Sequence, residues 1–326
     1  MKRTRVGVIG TGRMGAKHAR ALAALPEVEL VGVADHHHGR ADEVAGQSGA
    51  TSYYDYRDLL PRLDCAVVAA STAAHGEIGA DCARAGVHIL LEKPMCLTVA
   101  EAETLLNEVG RAGVILMVGH TELFNPAVAE LRRRVAGEQV LSLLAERLAP
   151  SYPPTEALDV ITNLMVHDLA VAGVLLQTTG APVFAWGQRV QAPFLDYATA
   201  SVSYGRAVGC FLASYLNPHT VRTLAVHGLG WFAEVDYLHR TLRMAEGDRE
   251  LQTVTVPDWD PLQHEIRHFL GCIHDGHKPE SSGLDGLRLL RLSTALRDTA
   301  MEVAEGLRRP EEAEAPQWPG ATPGAA

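Results

Sequence analysis

The sequence lacks most of the features that mark a secreted, membrane-bound or nucleic-acid-binding protein. Its five cysteines in 326 residues (Cys65, Cys82, Cys96, Cys210 and Cys272) are scattered, odd in number and contain no C-x-x-C pair. That excludes a disulfide framework and a cysteine zinc site as readings, and a reducing cytoplasm fits best. No stretch of about 18 uncharged apolar residues occurs, so no membrane span is expected. The opening Met1-Lys2-Arg3-Thr4-Arg5 imitates the basic end of a signal peptide. The apolar stretch behind it is broken by Gly7, Gly10 and Gly12, and no cleavage-like site follows. Positive charge is also scarce: 29 Lys and Arg against 39 Asp and Glu give a formal charge of -10. That balance argues against a nucleic-acid or anionic-membrane partner, although a local Arg/Lys/His pocket can still take an anionic substrate.

What is present reads as a globular enzyme of two domains, since one hydrophobic core seldom organises a chain this long. Short β-branched runs at Val6–Ile9, Leu30–Ala34, Ala66–Ala70, Val87–Leu91 and Val114–Val118 show no polar alternation. Such strands suit a parallel sheet covered on both faces. Between them, Lys17–Leu25, Glu77–Ala85 and Val99–Arg111 are long enough for crossover helices. The expected fold is therefore an α/β Rossmann domain over residues 1–122. Beyond it the texture changes. Gln139–Leu148 reads as a strand and Asp159–Leu176 as a helix. Closely spaced strands follow at Val183–Val190, Tyr197–Tyr204, Val208–Tyr215, Val221–His227 and Trp231–Tyr237, then helices at Pro261–Asp275 and Leu284–Glu305. This predicts an α+β domain over 123–307 with a large, mostly antiparallel open sheet. The Pro/Glu/Ala/Gly-rich residues 308–326 read as a disordered tail. No internal repeat is visible.

The strongest local signal is Gly10-Thr11-Gly12-Arg13-Met14-Gly15, a G-x-G-x-x-G that ends one strand and opens a helix. Gly10 permits the tight turn, Gly12 the close approach of a pyrophosphate, and Gly15 close helix–strand packing. A second strand ends at Asp35, 20 residues beyond Gly15, where a carboxylate accepts hydrogen bonds from ribose hydroxyls and repels a 2′-phosphate. The cofactor expected is NAD, with NADP the weaker candidate: Arg40 and His36-His37-His38 also suit a phosphate, but the His run reads better as a solvated loop.

Several further motifs, in order, resemble the glucose–fructose oxidoreductase / inositol dehydrogenase (Gfo/Idh/MocA) family. Ser71-Thr72-Ala73-Ala74-His75 stands in the place of T-P-x-x-x-H, with Ala70 and Ser71 replacing its Thr and Pro. Glu92-Lys93-Pro94 matches E-K-P, and Gly119-His120-Thr121-Glu122-Leu123-Phe124-Asn125-Pro126 is similar to G-H-x-x-R-F-N-P. Asn163-Leu164-Met165-Val166-His167 sits where the family writes D-x-x-x-H. The likeness covers about residues 3 to 305. It implies that Ser71, Thr72, His75, Glu92 and Lys93 serve the dinucleotide, and that His120, Asn125, Asn163, His167 and Arg222 meet a sugar-like substrate. It also implies a homodimer or homotetramer.

Chemistry supports part of this. Lys93 falls at a strand's carboxyl end, where open parallel sheets bind ligands, and an ammonium there steadies a developing alkoxide. Taken alone, it also fits a surface lysine closing a strand. His167 follows Asn163 by four residues, placing both on one helical face. A histidine near neutrality is a natural base for an alcohol proton, although lone helical histidines are more often structural. The catalytic set expected is thus Lys93, His167 and Asn163.

Three departures from the family pattern stand out. Asn163 replaces an Asp that would orient His167; it keeps the hydrogen bond but brings no charge. Ala170 replaces a second acidic position, and Leu123 the usual Arg beside the cofactor. A narrower likeness, including Leu216-Asn217-Pro218-His219-Thr220-Val221-Arg222, is to the branch that oxidises the 3-hydroxyl of UDP-N-acetylglucosamine. Arg222, with His219, suits a diphosphate there, yet Thr220 stands where that branch has Lys, and Arg222 fits a strand-surface charge equally well. Two functions follow: reversible hydride transfer to or from a sugar, nucleotide-sugar or cyclitol, or a NAD-binding sensor or assembly protein with a degenerate catalytic face.

His264-Glu265-Ile266-Arg267-His268 also satisfies H-E-x-x-H on a predicted helix, with His274 or His277 as a third zinc ligand. Ile266, Phe269 and Leu270 read as the buried stripe of that helix, and the family resemblance makes it a closing helix. No metal is expected.

Overall fold

A computed structural model of the chain describes residues 3–150 and 158–306; the 308–326 tail lies outside the described residues. Strands and helices alternate first: β1 (Thr4–Ile9), α1 (Arg13–Ala23), β2 (Val28–Ala34), α2 (His38–Ser48), β3 (Thr51–Tyr53), β4 (Cys65–Val68), α3 (Thr72–Arg84), β5 (His88–Glu92), α4 (Val99–Ala112) and β6 (Leu116–Gly119). They form a six-stranded sheet in the order β3-β2-β1-β4-β5-β6, with every neighbouring pair parallel. Unbroken apolar strands are what such a sheet requires, because consecutive residues enter opposite cores. Cys65 and Val67 join the core shared with the rest of the molecule, while Ala66 and Val68 pack against Ile78 of α3 and Leu105 of α4. Strand order reverses between β1 and β4, and their carboxyl ends open the crevice in which such sheets bind ligands.

The second unit comprises α5 (Pro126–Arg134), β7 (Val140–Leu148), a π-helical turn (Ile161–Met165) running into α6 (Val166–Leu176), β8 (Ala181–Gln188), β9 (Tyr197–Tyr204), β10 (Ala207–Ser214), β11 (Val221–Gly228), β12 (Trp231–Asp236), β13 (Thr241–Glu246), β14 (Gln252–Val254), α7 (Pro261–Asp275) and α8 (Gly283–Gly306). Its eight-stranded sheet runs β14-β13-β12-β11-β7-β10-β9-β8. Only β7 and β10 pair in parallel, so the sheet is mixed but mostly antiparallel. Alternation now holds: Ala198, Ala200, Val202 and Tyr204 of β9 are buried, and the residues between them face outward. Helix α8 lies along β8 and also reaches α4 and β6. Just before it, Ser282 bridges to Met117 of β6. The last helix therefore ties the two sheets together.

The structure adds short strands that the sequence does not announce. β3 and β14 have three residues each, and β13 carries the charges of Arg243 and Glu246. β3 and β14 are edge strands, which need a partner on one side only and so little apolar character. The His36–His38 run is exposed, as expected of a solvated loop, and only His38 enters the first turn of α2. His37 caps α2 by accepting from the Arg40 N–H, and His38 stacks on Tyr54 with ring centres 3.8 Å apart.

Candidate active site

The glycine turn has the geometry that its spacing predicts. Gly10 adopts φ +92°, and a Cβ there would stand 2.5 Å from the Ala70 nitrogen. At Gly15 a Cβ would meet the Gly10 carbonyl oxygen at 1.8 Å, so α1 packs as closely as it does only with glycine. Gly12 differs: no atom lies within 4 Å of its Cβ position. Its open side is the cradle a pyrophosphate would occupy. Gly12 is also the N-cap of α1 and places no side chain on the first-turn N–H groups; Arg13 is exposed and Met14 half-buried beside it. Ser71 likewise begins α3 without a side-chain cap and is exposed, while Thr72 is buried. Other helices carry side-chain caps: His37 on α2, Thr98 on α4, Asn125 on α5 and Asp260 on α7. Bare helix starts at the sheet's carboxyl edge suit anionic groups.

Asp35 sits at the end of β2. Its carboxylate accepts from the Thr11 N–H (2.8 Å), the Thr11 hydroxyl (2.9 Å) and the His37 N–H (2.9 Å). Burial opposes its charge, but the donors from His37 and Thr11 outweigh it and hold the carboxyl below its ordinary value. A fixed negative charge thus stands one strand from the glycine turn. These residues fit an adenine dinucleotide: an open cradle at Gly12, uncapped N–H groups on α1, and a carboxylate for the ribose.

Two residues expected at the dinucleotide prove to be internal. Glu92 is buried and accepts from His18 Nε2 at 2.7 Å, tying β5 to α1. Burial opposes its charge, yet the His18 bond and the Lys93 ammonium keep its carboxyl below the usual value. His75, also buried, turns its ring nitrogens to the carbonyls of Pro94 (2.9 Å) and Ala70 (3.2 Å). Both side chains hold the strand ends in place, because buried polar groups there take partners from the protein itself.

Lys93 leaves the end of β5 and crosses to the second unit. Its Nζ donates to Asn163 Oδ1 at 2.7 Å and to the Asn163 carbonyl at 3.0 Å. The Asn163 Nδ2 in turn donates to the Tyr215 hydroxyl at 2.5 Å. This corrects the expectation that Asn163 orients His167. The residue lies in the π-helical turn, started by Asp159, whose carboxylate accepts from the Ile161 and Thr162 N–H groups. From there its amide serves Lys93 instead, and His167 Nδ1 is buried without a partner. Such wide turns recur at functional sites.

His167 and His120 complete the pocket. Burial and the positive charges of Lys93, Arg147 and Arg222 hold His167 well below its usual value, so the imidazole is neutral at pH 7. Burial and Lys93 lower His120 to about 4. Arg222, 40% exposed on β11, stands 3.7 Å from Glu122 and pairs in register with Arg147 on β7. Its charge reaches both His167 and the start of α1 at Arg13, so it belongs to the pocket's field as well as to the strand surface. Asn125, expected to touch substrate, is instead fully engaged in structure. Its Oδ1 caps α5 at the Ala127 N–H, and its Nδ2 donates to the Tyr237 carbonyl and to Glu122.

Sequence reasoning missed the ion network near His167. Arg147 is 1% exposed, donates twice to Asp168 (2.8 and 2.9 Å) and once to Glu122 (2.9 Å), and lies 4.8 Å over the Tyr237 ring. Alternation along Val140–Leu148 points Arg147 inward with Leu143 and Ala145, and Asp168 is the lone carboxylate of an apolar helix. Those were the available signals. Tyr215 and His18 carried none.

The H-E-x-x-H residues diverge. His264 stacks on Trp259 at 4.3 Å, while His268 Nε2 accepts from the Glu280 N–H at 3.0 Å. Glu265 is fully buried, takes one bond from Thr121 and is held well above its ordinary value by burial and by Glu92. Among the described residues no three His, Cys, Asp or Glu side chains gather as metal ligands.

Known proteins share this architecture. The Gfo/Idh/MocA model, described as an oxidoreductase family with an NAD-binding Rossmann fold, matches residues 4–120. UDP-N-acetylglucosamine 3-dehydrogenase of Acidithiobacillus ferrooxidans is 32% identical over 305 residues, 90% of this chain and 96% of that protein. The chain belongs to the Gfo/Idh/MocA family. A solved structure of the same Acidithiobacillus protein superposes with a TM-score of 0.87 at 31% identity, covering 93% of this chain and all of that one. The scyllo-inositol 2-dehydrogenase (NAD(+)) of Bacillus subtilis is 28% identical over 318 residues, 89% of this chain and 92% of that protein. As a Gfo/Idh/MocA member the chain is an oxidoreductase acting on CH–OH groups, with a nicotinamide dinucleotide held by its parallel sheet.

Proposed function

We propose that this enzyme reversibly oxidises a secondary hydroxyl of a sugar, nucleotide-sugar or cyclitol, using NAD. One observation carries the reading: Lys93 of the first sheet sits with its ammonium on Asn163, at the start of the helical segment that presents His167. A nicotinamide dinucleotide held by the Gly10–Gly15 turn and Asp35 would supply the hydride acceptor for oxidation and the hydride donor for reduction. His167, neutral at pH 7, takes the hydroxyl proton, and Lys93 hydrogen-bonds the same oxygen as negative charge develops on it. In the reverse direction His167 returns the proton to the carbonyl oxygen.

NAD rather than NADP is supported by the fixed charge of Asp35, which repels a 2′-phosphate. A nucleotide-sugar is supported by the positive field of Arg222 and Arg13 and by the Acidithiobacillus relative. Residues 1–122 form the dinucleotide domain in this reading, and 123–307 the substrate and assembly domain. A homodimer or homotetramer would cover the outer sheet face, where Leu144, Phe184 and Val208 are exposed. The free cysteines suit the cytoplasm.

The test is NADH formation by purified protein with a panel of UDP-sugars and inositols, alongside calorimetry with NAD and NADP. Turnover of at least one compound is expected. No turnover despite tight NAD binding would leave the sensor reading in its place.

A further inference from the structure

The tyrosine at the end of β10 has a place in the site that neither the reaction nor the family likeness assigns. Tyr215 is 3% exposed, and its backbone N–H donates to the Asp196 carbonyl at 2.9 Å, which fixes the ring's origin. Its hydroxyl donates to the Leu158 carbonyl at 3.3 Å and accepts from Asn163 Nδ2 at 2.5 Å. The opposite end of the same amide, Oδ1, accepts from Lys93 at 2.7 Å.

The donor inventory makes this order directional. An ammonium has three donors and no acceptor, so Lys93 favours an amide only when the oxygen faces it. An asparagine amide is nearly symmetric in shape, and rotation by half a turn would present NH₂ to the ammonium. The ammonium favours the oxygen-facing orientation, and the group on the far side decides how firmly the amide is held in it. Because the Tyr215 proton is directed to Leu158, its oxygen is left to accept, and only NH₂ satisfies it. A carboxylate at position 163 would need no such help, since both of its ends accept.

We propose that Tyr215 is a positioning residue that locks the Asn163 amide with its oxygen toward Lys93, and so keeps the ammonium aimed into the site. This rests on the proposed role of Lys93, but its first test needs no substrate. Lys93 is labelled with limiting acetic anhydride at fixed pH, and its peptide is quantified by mass spectrometry. Tyr215→Phe removes the acceptor and frees the amide to rotate, so Lys93 loses a partner and should label roughly threefold faster. In an Asn163→Asp background the same Tyr215→Phe change should leave labelling unaltered. Once a substrate is in hand, Tyr215→Phe should lower kcat about tenfold with little change in KM for NAD. Unchanged labelling in the single variant, or an equal rise in both backgrounds, would show that Tyr215 only packs. Should Tyr215→Phe fail to fold, Asn163→Ala, which removes the amide and keeps the phenol, must give the same rise, and its absence overturns the proposal.

Discussion

Lys93 and Asn163 meet across the gap between the two sheets, the ammonium 2.7 Å from the amide oxygen and 3.0 Å from the backbone carbonyl of the same residue. Two acceptors from one residue orient the ammonium at the end of β5, where the proposed reaction places a substrate oxygen. Lys93→Met should therefore lower kcat by roughly 100- to 1000-fold, while calorimetry shows NAD affinity nearly unchanged. A variant that loses NAD binding instead would assign Lys93 to the cofactor alone.

The second and third glycines of the turn should fail differently. At Gly15 a Cβ would collide with the Gly10 carbonyl, so Gly15→Ala should lower the melting temperature or prevent folding. Gly12 has open space at that position, so Gly12→Ala should melt like the parent yet bind NAD at least about tenfold more weakly, a loss of about 1.4 kcal/mol or more. Thermal melts and calorimetry on both variants decide it.

His167 must be neutral to accept a proton, and its value is held low by burial and by Lys93, Arg147 and Arg222. The oxidation rate should rise with pH through that low value and be level near neutrality. Arg222→Met removes one of the cations, lets His167 protonate more readily, and should move the acid limb of kcat/KM to higher pH. A limb that stays in place would detach Arg222 from the pocket's field.

His120 ties stability to pH. Its folded value of about 4 lies below the ordinary 6.5, so the folded chain refuses a proton that the unfolded chain accepts. Stability from this group is complete above about pH 6.5 and is lost as pH falls toward 4, amounting to about 2 kcal/mol at pH 5. His120→Gln should remove that part of the loss, read as the difference between urea midpoints at pH 8 and pH 5.

Arg147 is buried with Asp168, and its second carboxylate partner, Glu122, is half-buried. Arg147→Met strands Asp168 and Glu122 without it and should destabilise the fold by about 3–5 kcal/mol. Arg147→Met combined with Asp168→Leu should cost less than the single change, since it no longer buries an uncompensated carboxylate at position 168. Denaturant melts of the two variants test the pair.

Much of this architecture is legible along the chain. Unbroken apolar runs signal a parallel sheet, alternating ones an antiparallel sheet, and the glycine spacing with Asp35 marks a dinucleotide turn, because each pattern is a local consequence of backbone geometry. Asn125 shows the limit. It lies in a motif that implies substrate contact, yet its amide caps α5 and bonds the Tyr237 carbonyl. H-E-x-x-H is a second case, since spacing places two imidazoles on a helix but says nothing of what packs against them. His264 met Trp259, and Glu265 went inward under Thr121.

Local patterning thus settled by itself the class of each sheet and the place of the cofactor turn, and the family likeness in the sequence nominated Lys93 and His167. Folding decided the rest: that Asn163 serves Lys93 and not His167, that Glu92 pairs inward with His18, and that Arg147 joins Asp168 and Glu122 near His167. The reason is distance along the chain. These partners lie tens of residues apart, and whether a polar side chain faces a ligand or a buried neighbour depends on what the tertiary packing brings against it.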